Sequence, residues 1–180
     1  RAQCGAPIGP ELERKLPHLK SYDEYKKAYA SIPDETYHTS EKLNRSVLNN
    51  ERAVQLLEWV NGLAKDGPPV HLCSIGSQDA IIEDEVLSRN ERIHVTVVDV
   101  APQAGQPTER LMRRYPGRVG RYVMSLDHYD WGRDGVWDAV TIFEVIELLP
   151  SDTEAVRKLA RMLKPDGRLF LSCPIAERWV

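Results

Sequence analysis

Val70-His71-Leu72-Cys73-Ser74-Ile75-Gly76, then a helix-length interval from Ala80 to Ser88, then Ile93-His94-Val95-Thr96-Val97-Val98-Asp99 decide the fold of this chain. The two outer runs are short and apolar, and the second is rich in β-branched residues. Such near-continuous runs suit strands buried on both faces of a sheet. The interval between them is long enough for a crossover helix, so the unit reads as two parallel strands joined on the right-handed side. Downstream the alternation repeats. Thr108–Tyr115 reads as a helix, Val119–Leu126 as a third strand and Trp137–Phe143 as a fourth. Ser151–Leu163 reads as a helix opened by a Ser151/Glu154 capping box. Leu163-Lys164-Pro165-Asp166-Gly167 reads as a stop and turn, and Arg168–Cys173 as a fifth strand. The expected architecture is α/β with a mainly parallel sheet covered on both faces.

Upstream of Val70 the pattern is helical. Ser21–Ala30 is short and amphipathic, with Tyr22, Tyr25 and Tyr29 at helical spacing, and ends before Pro33. A longer helix runs from about Ser40 to Ala64 on a stripe of Leu43, Val47, Leu48, Val54, Leu57 and Val60, and stops at Lys65-Asp66-Gly67-Pro68-Pro69. Two regions are therefore expected: a helical extension over 1–69 and a sheet-bearing core over 70–180.

The 180 residues are 42% hydrophobic, enough for one buried core. Lys plus Arg is 24 against 27 for Asp plus Glu, a net charge of −3, which speaks mildly against a nucleic-acid backbone as the main partner. No run approaches the length of a membrane span, and Arg1–Pro10 carries no signal-peptide pattern, so a cytoplasmic location is expected. Cys4, Cys73 and Cys173 stand at no metal-binding spacing; Cys73 and Cys173 fall in strand-like runs and are expected to be buried and reduced. The arginines at 110, 113, 114, 118 and 121 form a basic run that reads as a solvated helix face.

In an open parallel sheet, ligands bind beyond the carboxyl ends of the strands. Four places qualify: the turn after Ile75, Asp99, the segment around Asp127, and the segment after Phe143. Gly76 lacks a Cβ where a tight strand-to-helix turn needs none and where a ligand can approach the backbone. Asp99 stands 23 residues on, at the end of the second strand, where a carboxylate can accept from both hydroxyls of a ribose. Nicotinamide and adenosyl cofactors both use that pair, but the G-x-G-x-x-G turn of the former is absent.

Trp137-Asp138-Ala139-Val140-Thr141-Ile142-Phe143-Glu144-Val145-Ile146-Glu147-Leu148-Leu149-Pro150 resembles the FDxVxxxEVLEHLP stretch of class I S-adenosylmethionine-dependent methyltransferases. Leu159 to Ser172 is similar to that family's LxxxLKPGGxLxxS segment, and Val97-Val98-Asp99-Val100-Ala101-Pro102 to its GVDxSP segment. The resemblance covers about residues 70–174. It implies a Rossmann-like doubly wound sheet of order 3-2-1-4-5, S-adenosylmethionine as cofactor, and methyl transfer to a small-molecule or other polar acceptor. It places Ser74, Gly76 and Ser77 along the methionine part of the cofactor, Asp99 on the ribose, and Val100 against the adenine. Leu126 and Asp127 would flank the adenine, and Phe143 and Glu144 would close the floor near the sulfonium, with Glu147 one turn beyond. His128, just after the third strand, is the one candidate general base. Tyr37 and His38 are candidates for a lid.

The chain departs from the pattern in the turn. The family reads D-x-G-x-G-x-G where this sequence has Ser74, Gly76, Gln78 and Ala80. Ser74 can hydrogen-bond an ammonium group but cannot offset its charge. Leu148 replaces a common histidine, and Glu144 with Glu147 is a poor metal pair without it. The family sheet carries two further strands after the fifth, so the fifth strand is expected to be an open edge that pairs with a second copy or another protein, or the sequence is a fragment. The alternatives to a working methyltransferase are a non-catalytic cofactor-binding module of a larger assembly and an RNA methyltransferase.

Overall fold

The computed structural model describes residues 42–63, 66–101, 105–123, 126 and 135–173. Five parallel strands form one sheet: β1 (Val70–Ile75), β2 (Ile93–Asp99), β3 (Val119–Val123), β4 (Trp137–Phe143) and β5 (Leu163–Ser172), in the order β3-β2-β1-β4-β5. Helix α1 (Lys42–Gly62) precedes the sheet, α2 (Ile81–Arg89) joins β1 to β2, α3 (Gly105–Arg114) lies between β2 and β3, and α4 (Asp152–Met162) leads into β5. The Rossmann-like order expected from the sequence is the one observed, and it puts the reversal of strand order between β1 and β4.

Alternation along the strands divides the core in two. Val70, Leu72, Ile93, Val95, Val97 and Ala139 face α1, α2 and α3, meeting Ala53, Leu56, Leu57, Val60, Val86, Leu87 and Leu111. Cys73, Ile75, Val98, Val140 and Ile142 face α4, meeting Ala155, Leu159 and Met162. The first face, continued by the two-residue period, ends in Ser74, Asp99, Thr141 and Phe143. Polar side chains therefore collect at the carboxyl ends of the strands on the face covered by α1 and α2. Trp59 of α1 packs on Phe170 of β5 with ring centroids 5.8 Å apart, which ties the helix across the sheet.

Boundaries differ most from the sequence reading at β5, β3 and α3. β5 begins at Leu163: Leu163 pairs with Trp137, the register then slips, and Arg168 pairs with Ala139. Residues 164–167 thus form an irregularity within the strand and not a turn before it, consistent with a Pro and Gly at a bulge. β3 ends at Val123, short of Leu126, and α3 begins at Gly105, ahead of Thr108. At α4, Ser151 Oγ accepts from Glu154 N at 3.2 Å, the N-cap half of the expected box, a contact worth about 1 kcal/mol.

Cys73 is fully buried and burial raises its thiol pKa, so it behaves as a small hydrophobe. Cys173 is exposed just past β5, contrary to the expectation of burial, because β5 has ended one residue earlier. Much of the arginine run is structural. Arg114 bridges to both carboxylate oxygens of Asp84 at 2.8 and 3.0 Å, and Arg118 donates to the carbonyls of Leu87, Asn90 and Ile93. The Arg118 contacts sit near the amino end of β2, opposite the strand ends that carry the polar cluster. His71 is exposed and lies beside the half-buried His94, rings 5.4 Å apart. Tyr22, Tyr25, Tyr29, Tyr37, His38 and Cys4 lie outside the described residues.

Candidate cofactor site

The turn after β1 is held by backbone conformation. Gly76 sits at φ +72° and its N–H donates to Val98 O at 2.9 Å, locking the turn to β2. A Cβ at 76 would collide with Cγ2 of Val145, from the segment after β4. The next two alternate positions, Gln78 (φ +48°) and Ala80 (φ +57°), are also left-handed. This chain thus keeps the backbone path that glycines at 76, 78 and 80 would take, with a side chain at two of the three. An L-residue in that conformation costs roughly 1 kcal/mol relative to glycine. Gln78→Gly is therefore expected to stabilise the protein by about 0.5–1 kcal/mol in urea denaturation, whereas at Ala80, 1% exposed in the core, loss of the buried methyl offsets the gain. A loss of stability in Gln78→Gly would show that the side chain does more than tolerate the turn.

Asp99 anchors the other wall. Its Oδ1 accepts from Ala101 N at 2.8 Å and its Oδ2 from Gln78 N at 3.3 Å. The carboxylate thus ties the end of β2 to the turn after β1. It is 8% exposed, and burial raises its pKa more than the amides of Ala101 and Gln78 and the charge of Arg121 lower it.

Below the turn, Ser74 Oγ donates to Glu83 Oε1 in the first turn of α2, and both residues are buried. Burial pushes the Glu83 carboxyl up to about 7 from 4.5, with Asp79 and Asp99 adding repulsion and Ser74 opposing it. The folded protein therefore holds a proton that the unfolded chain has released. The associated stability is full below about 4.5 and is lost as pH rises through 7. Between pH 5 and 8 this removes up to about 3 kcal/mol. Denaturation midpoints across that range should fall in the wild type and fall much less in Glu83→Gln; an equal fall would assign the slope to other groups.

At the end of β4, Phe143 is half-buried and Glu144 exposed at φ +56°. Glu144 N donates to Ser172 O at 2.8 Å, and its side chain pairs with Arg52 of α1. The Arg52 guanidinium lies 5.0 Å from the centroid of the Phe143 ring. α1 therefore reaches over the strand ends. Glu147 stands exposed in the short 3-10 turn Ile146–Leu148.

The structure brings Ser74, Gly76, Ser77 and Asp99 together at the ends of β1 and β2, with Val100 next in the chain and Phe143 and Glu144 at the neighbouring end of β4. Leu126 is buried in the core on the α4 side, with Val98 and Ile146. Asp127 and His128 lie outside the described residues. Sequence reasoning missed Glu83, Arg52 and Val145. The left-handed cradle at 76, 78 and 80, an adjacent buried carboxylate and a buried Ser77 Oγ with no partner among the described residues fit an adenosyl cofactor. A surface depression on α3 around Gln106, Arg110 and Arg113 holds none of these groups.

Comparison with known proteins agrees with this fold. The profile of a methyltransferase domain matches residues 73–169, from within β1 to within β5. A ubiquinone biosynthesis O-methyltransferase of Xanthomonas oryzae pv. oryzae is 36% identical over 78 residues, 43% of this chain and 33% of that protein. The match therefore spans about a third of that relative's length. The plantazolicin methyltransferase BpumL, solved with S-adenosyl-L-homocysteine, superposes with a TM-score of 0.64 at 16% identity, over 89% of this chain and 58% of its own. The N-methyltransferase NodS of Bradyrhizobium japonicum, solved with the same ligand, gives 0.54 at 20% identity, over 89% of this chain and 70% of its own. At these identities the superpositions show the fold.

Proposed function

This chain belongs to the methyltransferase domain family, and on that premise we propose that it binds S-adenosylmethionine at the ends of β1 and β2 and transfers the methyl group to a small polar acceptor. The observation that carries this reading is the left-handed path through Gly76, Gln78 and Ala80, tied to the buried Asp99 carboxylate by Gln78 N. In it, Ser74, Gly76 and Ser77 line the methionine half of the cofactor, Asp99 accepts from the ribose hydroxyls, and Val100 and Asp127 flank the adenine; Leu126, expected there from the sequence, is instead packed in the α4-side core. Phe143 and Glu144 form the floor.

When bound, the cofactor supplies a methyl already activated on a sulfonium. The protein's own work is then alignment and exclusion of water. Arg52, held over Phe143 by Glu144, closes the floor from the side of α1. This supports assigning the helical extension over 1–69 to a cover on the core over 70–180. A hydroxyl acceptor is the first choice, because the relatives matched in sequence are named O-methyltransferases. A hydroxyl must lose its proton, and His128 is the proposed base. No described helix is long and apolar enough to cross a membrane. Arg118 is engaged at the far end of the sheet and Arg114 is paired with Asp84, which favours a small acceptor over RNA.

The test is formation of S-adenosylhomocysteine from S-adenosylmethionine with a panel of phenols, alcohols and amines, in wild type and His128→Ala. Acceptor-dependent turnover on a hydroxyl compound, lost in the variant, supports the reading. A second reading, a module that binds cofactor without turnover, draws on the side chains at Gln78 and Ala80. It is favoured if cofactor binds and no acceptor is methylated.

A further inference from the structure

Glu83 is 4% exposed, in the first turn of α2, directly behind the strand-end turn. Elsewhere α2 buries apolar groups, Val86 and Leu87, so an apolar residue at 83 would suit the core. Once ionised, above about pH 7, this buried carboxylate needs a compensating partner. Its hydrogen-bond partner is the Ser74 hydroxyl, and the charges that act on it most are the further carboxylates of Asp79 and Asp99. The Ser77 Oγ, in the same turn, is buried with no partner among the described residues.

Ser74 occupies the position at which related turns carry an acid. Its hydroxyl has one proton, given to Glu83, and this leaves its lone pairs to accept from an N–H donor. We propose that Glu83 supplies, through Ser74, the negative charge against which the ammonium group of the cofactor's methionine half docks. The acid missing from the strand is provided by the helix that follows. Glu83 is on this account a positioning residue. The proposal rests on the cofactor reading above and deepens it.

The experiment compares two ligands by calorimetric titration at pH 8.5. S-adenosylhomocysteine carries the ammonium; 5′-methylthioadenosine has the same adenosine and thioether without the amino-acid half. Glu83→Gln is expected to weaken S-adenosylhomocysteine by roughly tenfold or more, as for loss of a charge-assisted contact, and to leave methylthioadenosine within about twofold. The exchange Ser74→Asp with Glu83→Leu returns a carboxylate to the strand and is expected to restore S-adenosylhomocysteine to within a few fold of wild type. Equal weakening of both ligands by Glu83→Gln, or of neither, overturns the proposal. Should Glu83→Gln not fold, the double exchange decides: binding methylthioadenosine while losing S-adenosylhomocysteine overturns it. A wild-type protein that binds neither ligand overturns the cofactor reading itself.

Discussion

Gly76→Ala is expected to lower the stability of this protein by about 3 kcal/mol and its Tm by roughly 6–12 °C, as for a chain of this size. Two costs combine. The residue sits at φ +72°, where a Cβ costs roughly 1–2 kcal/mol. The same Cβ drives into Val145 Cγ2, and overpacking of this kind costs about 1–3 kcal/mol. The two are separable. Val145→Ala removes the collision and leaves the backbone term, so the double variant Gly76→Ala/Val145→Ala should be less destabilised than the sum of the two single variants. A thermal unfolding cycle of the four proteins reads this directly. Strict additivity would show that Val145 does not press on the turn, and a Gly76→Ala protein as stable as wild type would contradict the conformation of the turn altogether.

Asp99→Asn is expected to weaken adenosyl-cofactor binding by about 100-fold or more. A carboxylate accepting two ribose hydroxyls makes charge-assisted bonds, each worth about 1.5–3 kcal/mol, and an amide replaces one acceptor by a donor. The same replacement disturbs the free protein. One carboxylate oxygen accepts from Ala101 N and the other from Gln78 N, so the amide NH2 must face one of two N–H donors. The turn after β1 then loses a tie to β2. Titration with S-adenosylhomocysteine should show the affinity loss, and urea denaturation a drop of about 1 kcal/mol. Binding that survives the substitution would move the ribose away from Asp99.

The sheet was legible because its strands are apolar runs bounded by strong breakers, and because the helical intervals are too long for hairpins. Where local signals and tertiary pairing disagreed, pairing won. Lys164-Pro165-Asp166-Gly167 is turn-like by composition, yet Leu163 still pairs with Trp137, so the irregularity is absorbed inside β5. The position of Gly76 and of Asp99 was also legible, since both lie at strand ends by simple spacing. The consequence of Gln78 and Ala80 was not. The sequence shows only a departure from the glycine pattern there, whereas the backbone keeps its left-handed path and the departure appears as strain.

Glu83 shows the limit most clearly. In Ile81-Ile82-Glu83-Asp84-Glu85 it reads as one of several acids in a solvated first turn, favourable there because of the helix dipole. Its burial depends on Ser74, nine residues earlier and on another element, and no local pattern encodes that contact. Arg52 is illegible for the same reason, because its partners Phe143 and Glu144 lie about ninety residues downstream.

The most direct test of the central claim is a thermal-shift titration of the wild-type chain with S-adenosylhomocysteine, S-adenosylmethionine and NAD. A ligand at about 100 times its Kd adds about 2.7 kcal/mol to the folded state. For a domain of this size that raises Tm by roughly 5–10 °C. The account predicts this rise with both adenosyl compounds and none with NAD. No rise with either adenosyl compound, or an equal rise with NAD, would contradict it.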